Sequence, residues 1–144
     1  MHACGFLVGR WSGEGWASYG PGPRHSFHET ESIEAKLEGL LLLIQGHGTD
    51  EGGKTVHDAL AIMSYDPQDK HYHFRAYEQM GRSVDSVAQC HNNTMTWSLA
   101  AGPTTIRYTI SLNAKGQWHE IGTAIIPNAP EQQIFEMTLD KASG

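Results

Sequence analysis

No apolar run in this chain exceeds five residues, Leu40 to Ile44. A membrane-crossing helix needs roughly 20, so none is expected. The opening Met1-His-Ala-Cys-Gly-Phe6 has neither the basic region nor the apolar stretch of a secretory leader, and a cytoplasmic location is the expectation. Cysteine is scarce: Cys4 and Cys90 stand alone, without metal or redox spacing. With Cys4 in a terminus expected to be mobile, no disulfide is expected, and a reducing compartment follows. Basic residues are outnumbered 10 to 16, giving a formal charge of −6 with no basic run, which argues against nucleic acid or an anionic membrane as partner. There is no Gly-x-Ser-x-Gly nucleophile motif, and Gly13-Glu14-Gly15 is not followed by a helix as a dinucleotide loop requires.

What the chain does contain is a series of short strand signals separated by turn clusters. It opens with Gly9-x-Trp11-x-Gly13-x-Gly15, a pattern suited to a strand that bends sharply while large aromatics plug a barrel end. Strands are predicted over about 8–18, 25–35, 40–48, 55–65, 71–78, 82–90, 95–100, 104–112, 117–126 and 132–140. Between them lie Tyr19-Gly-Pro-Gly-Pro-Arg24, a turn near Leu37-Glu38-Gly39, Thr49-Asp-Glu-Gly-Gly-Lys54, Asp66-Pro-Gln-Asp-Lys70 and Asn113-Ala-Lys-Gly116. About ten strands with tight connections form an antiparallel meander. Left open, it would expose two edges, so closure into an all-β, up-and-down barrel is favoured. The whole chain, 1–144, reads as one domain.

The Gly9-x-Trp11-x-Gly13-x-Gly15 opening, Gly46-x-Gly48, Ser64-Tyr65-Asp66 and the closing Ile134-Phe135-Glu136-Met137-Thr138-Leu139 resemble a group of uncharacterised bacterial lipocalin-like (calycin) proteins, a domain of unknown function. The resemblance runs from about Leu7 to Lys141. It implies a barrel whose cavity takes a small, mostly apolar molecule, with nitrobindins and fatty-acid-binding proteins as distant relatives. Nitrobindins hold haem through a histidine near the barrel's end. Here the last strand has none, and His119 is the nearest substitute. Fatty-acid-binding proteins hold a carboxylate with an Arg-x-Tyr pair; Arg75-Ala76-Tyr77 has that chemistry on a middle strand.

Residues two apart share a strand face. On the fifth strand His71, His73, Arg75 and Tyr77 oppose Tyr72, Phe74 and Ala76, and the alternation leaves open which row faces in. With the basic row inside, Arg75 and Tyr77 would orient an anionic or carbonyl group; with Tyr72 and Phe74 inside, that row is merely solvated. On the second strand Phe27 and Ile33 suggest an interior face, which would carry Glu29 and Glu31 partly inside, with Arg75 or Arg107 as partner; the competing reading, preferred for at least one of the two, leaves it solvated on the barrel exterior. Leu41, Leu43, Gln45 and His47 form one face of the third strand. His57, Ala59, Ala61, Met63 and Tyr65 form a roomy face of the fourth, where His57 is either a ligand group or a structural hydrogen-bonding histidine. Ile106, Tyr108, Ile110 and Leu112 are expected inside, as are Phe135, Met137 and Leu139, with Trp11, Trp16 and Trp97 as end-plugs and core. The ninth strand, Trp118-Glu120-Gly122 against His119-Ile121-Thr123, is undecided.

The expected function is binding of a small apolar or amphipathic molecule by Arg75, Tyr77, His73, His57, Glu29, Gln45 and Tyr108. One alternative is a haem protein with His119 or His73 as axial ligand. Another is an isomerase- or cyclase-type enzyme using His57 or His73 with Glu29. No cofactor and no metal are otherwise expected. His71-x-His73 is the close histidine pair on one face, with His57 or Glu29 as the further ligands a zinc ion would need. A homodimer is possible on the same reading.

Overall fold

Strict two-residue alternation lets a strand bury one face only, and here every strand has such a face to bury. In the computed structural model, which describes residues 2–18 and 22–142, ten strands bury those faces against one another. They are β1 (Gly9–Ala17), β2 (His25–Lys36), β3 (Leu41–Thr49), β4 (Thr55–Asp66), β5 (His71–Glu78), β6 (Ser83–His91), β7 (Thr94–Ala101), β8 (Thr104–Leu112), β9 (Trp118–Ile125) and β10 (Gln132–Lys141). Each pairs antiparallel with the next, and β1 also pairs with β10, from Trp11 opposite Lys141 to Ala17 opposite Phe135. The barrel is therefore closed and up-and-down, as the turn spacing predicted. Every predicted strand is present with ends shifted by a residue or so. The predicted loop at Tyr19–Arg24 lies partly outside the described residues.

Inside, Ile33, Leu42, Met63, Met95 and Leu139 are almost wholly removed from water. On β5 the interior row is Tyr72 and Phe74, each 7% exposed. Two large aromatic side chains outweigh a row of imidazole, guanidinium and phenol groups in the competition for the core. The eighth strand buries Tyr108 and Ile110 as expected, and the ninth turns Trp118 and Glu120 inward. Trp16 is a correction: it faces outward opposite Glu136, with the Arg24 guanidinium 3.7 Å above its ring.

The N-terminal segment is a second correction. His2–Leu7 forms a 3-10 helix, with Cys4 and Leu7 buried in the same core as Trp11 and Trp118. The Trp11 indole donates to the Leu7 carbonyl at 2.9 Å, and Trp11 meets Trp118 edge-on at 5.6 Å. Cys4 is bonded to Cys90 of β6, with Cα atoms 5.5 Å apart. The segment thus plugs one end of the barrel, and the expected absence of a disulfide does not hold. The reducing-compartment expectation loses its ground with it. No helix among the described residues is long and apolar enough to cross a membrane.

A bond joining residues 86 apart in sequence restricts the unfolded chain strongly, so its loss costs about 3–5 kcal/mol. Thermal unfolding with and without reductant checks this. Reductant is expected to lower the Tm of the natural chain and leave that of Cys90→Ser unmoved.

A buried carboxyl cluster as candidate functional site

The hairpin joining β2 to β3 turns at Leu37–Gly39, which sets Glu31 opposite Gly46 and Glu29 opposite Gly48. On the far side of β3, Gly48 is opposite His57. Glu29, Gly48 and His57 therefore form one row across three strands, on the inner face. A side chain on β3 would collide with the carboxyls. A Cβ at Gly48 would lie 2.6 Å from the Glu29 Oε1, and one at Gly46 would strike the Glu31 carboxyl. The two glycines are the hollow in which the carboxyls lie.

Glu29 is 3% exposed, and Glu31 and Glu120 are each 8% exposed. The Glu29 Oε2 meets the His57 Nδ1 at 3.3 Å, and the Trp118 indole donates to the Glu120 Oε1 at 3.0 Å. Burial raises the pKa of Glu29, but hydrogen bonds from His57 and Glu31 and the charges of His57 and His47 outweigh it and hold it below the usual value. Burial first, then the hydrogen bond and charge of Glu29 and the charge of Glu120, hold Glu31 well above it. A hydrogen bond between two carboxyls needs a proton, so Glu29 and Glu31 share one and titrate as a pair. Glu120 is pushed up to about 7, by burial and then by the charge of Glu29, against the opposing hydrogen bond from Trp118. His57 is raised, chiefly by its hydrogen bond to Glu29, with burial opposing; its side chain is 49% exposed. The cluster thus combines an anionic carboxylate, two carboxyls that resist ionisation and a histidine reaching solvent.

Beside it runs an aromatic row. Phe27 stacks on Phe135 at 5.5 Å, Phe135 meets Tyr108 edge-on at 5.7 Å, Tyr108 stacks on Trp97 at 4.8 Å, and Trp97 lies 4.5 Å from Phe74. Two clefts of about 400 and 380 Å³ lie along β1 with other linings, Val8–Arg10 with Ser32–Ala35 and Glu14–Trp16 with Glu136–Thr138.

Of the residues named from sequence, Glu29 and His57 are brought together and Tyr108 sits in the aromatic row. Arg75, Tyr77, His73 and Gln45 are on outward-facing positions and do not join them. Tyr77 is 54% exposed, and Arg75 pairs with Asp85 at 3.6 Å. Arg107, the other expected partner of the glutamates, pairs with Glu131 at 3.1 Å. The glutamates are satisfied by His57 and by each other. Gln45 faces out because Gly46 and Gly48 must face in. Both candidate haem ligands face outward too: His119 meets Glu136 at 2.7 Å and His73 meets Asp66 at 3.4 Å. Glu120 and Trp118 were missed as site residues because either face of β9 can pass for interior.

Raised and lowered groups act in opposite directions on stability. Stabilisation tied to a protonated Glu120 is complete below about pH 4.5 and is lost as pH rises towards 7. That shift corresponds to about 3 kcal/mol. Glu31 acts in the same sense, and His57 loses its contribution as pH rises past its raised value. Glu29 loses its contribution only as pH falls below 4.5. Denaturant unfolding is therefore expected to show greatest stability in mild acid and a decline towards neutrality, with Glu120→Gln flattening the decline between pH 4.5 and 7. Gly46→Ala is expected to destabilise by about 1–3 kcal/mol through overpacking, with part recovered when Glu31→Ala is added, a coupling that a double-mutant cycle reads directly.

No family model matches the chain, and no curated protein does. Solved structures match its shape. Rv2717c from M. tuberculosis superposes with a TM-score of 0.71 at 13% identity, over 99% of this chain and 96% of that one. The S-type phycobiliprotein lyase CPES from Guillardia theta gives 0.68 at 6% identity, over 99% and 92%. At such identities the likeness concerns fold alone, and the fold is a calycin-like closed barrel of ten strands.

Proposed function

We propose that this barrel binds a small amphipathic molecule through a polar end that donates hydrogen bonds or carries positive charge. That end would meet Glu29, Glu31 and Glu120, with His57 at the solvent side and the aromatic row against the apolar body. The carrying observation is the set of three buried carboxyls on one interior surface. Apolar side chains there would avoid their desolvation cost, and groups held far from their ordinary pKa concentrate where ligands are handled. The same cluster disfavours an acid in the interior, so an anionic head anchored by Arg75 and Tyr77 is the weaker reading. Structural likeness to a phycobiliprotein lyase is compatible with a barrel that handles a small organic molecule.

Acid–base catalysis is a second reading, favoured by one observation: a carboxyl near pH 7 at Glu120 can give or take a proton at neutral pH. Nitrobindin-type haem binding has less support, since His119 and His73 sit on the outer wall.

The test uses tryptophan fluorescence, with Trp97 in the aromatic row as reporter. A long-chain primary amine and a carboxylic acid of the same hydrocarbon body are titrated at pH 7. The amine is expected to bind about tenfold tighter or more, a difference of roughly 1.4 kcal/mol, and Glu29→Gln is expected to erase the preference. Equal affinities, or a preference for the acid, overturn the proposal.

A further inference from the structure

Away from the barrel interior, the β4–β5 hairpin gathers two imidazoles and two carboxylates on the outer wall. The register sets Asp66 of β4 opposite His71 of β5 and Ser64 opposite His73, so Asp66, His71 and His73 share the outward face. The turn between them is tightly specified. The Lys70 amide donates to the Asp66 carbonyl at 2.8 Å, and Lys70 takes a left-handed φ of 60°. The Asp66 Oδ1 accepts the Gln68 and Asp69 amides at 2.9 and 3.4 Å. Those bonds use one carboxylate oxygen and leave the other, Oδ2, 3.4 Å from the His73 Nε2. The same turn brings the Asp69 Oδ2 to 3.7 Å from the His71 Nε2.

We propose that Asp69, His71 and His73, with Asp66 as fourth donor, form a binding site for a divalent cation of zinc type. The donor atoms of Asp69, His71 and His73 all lie within 4.8 Å of one another, and the two rings meet edge-on with centroids 5.2 Å apart. Small side-chain rotations would bring them to the roughly 2.0–2.2 Å that zinc requires from nitrogen and oxygen donors. The imidazole side chains are only 27% and 28% exposed, so part of their ordering cost is already met by the fold. Two nitrogen and two oxygen donors in a tetrahedral count favour zinc over magnesium, which prefers six oxygens and keeps its water. His57 and Glu29, the additional ligands suggested by sequence alone, face the barrel interior; the turn aspartates take their place. An ion so held would clamp both strands and the connecting turn of one hairpin.

The experiment is titration of the full chain with zinc chloride by calorimetry, with magnesium chloride as comparison and thermal unfolding as second readout. One zinc per chain is expected, no magnesium heat, and a Tm rise on the order of 5 °C at a hundredfold excess over Kd. His71→Asn and His73→Asn are each expected to weaken zinc binding tenfold or more, and so is Asp69→Asn, a change confined to an exposed turn. His28→Asn, at a histidine elsewhere on the outer wall, is expected to leave zinc binding unchanged. Absence of zinc uptake by the natural chain overturns the proposal. So does uptake that survives His71→Asn with His73→Asn, or falls equally with His28→Asn.

Discussion

Pairing of β1 with β10 is the constraint on which the rest of the molecule depends. Once those edges meet, the interior has a set circumference and every inward residue must share one enclosed space. A sheet left open could have turned the acidic face of β2 to water. In a closed barrel, Phe27 and Ile33 can be buried only if Glu29 and Glu31 go in with them. The remaining interior residues then have to accommodate two carboxyls, and Gly46, Gly48, His57 and the indole of Trp118 show how they do so.

Accommodation divides the interior into unlike regions. Near the plugged end, Trp11, Trp118, Leu7 and Leu139 pack as an ordinary core around the Cys4–Cys90 bond. Further along, polar groups are paired among themselves, and no buried side-chain polar atom among the described residues lacks a partner. The outer wall carries a different chemistry, with acid–base pairs such as His119–Glu136 and Arg75–Asp85 lying across neighbouring strands. These exposed pairs contribute little to stability.

Strand positions were legible in the sequence because turn residues punctuate it so often. Facing was legible only where apolar residues alternate with polar ones, as in Ile106-x-Tyr108-x-Ile110. It was ambiguous for Leu41 to Ile44, where both faces are apolar, and for β5, where basic and aromatic rows compete. The signal that would have located the site was present nonetheless. A turn centred on residues 38 and 39 sets Glu29-x-Glu31 against Gly46-x-Gly48, and two large acids facing two absent side chains mark a deliberate fit. The plug was not legible: Cys4 and Cys90 are too far apart in sequence for spacing to suggest a bond, and a 3-10 turn has no periodic signature.

The proton between Glu29 and Glu31 has a consequence for whatever enters the barrel. With it in place, the pair carries one negative charge rather than two. On the proposed function, a guest bearing positive charge would make the second ionisation favourable, and the proton would then leave for the solvent. Binding of such a guest would therefore be coupled to buffer: its heat would vary with the ionisation enthalpy of the buffer chosen, and its affinity would climb with pH. A neutral guest would leave the proton where it is and show neither effect. On the proposed reading, the shared hydrogen would make binding depend on the charge of the guest.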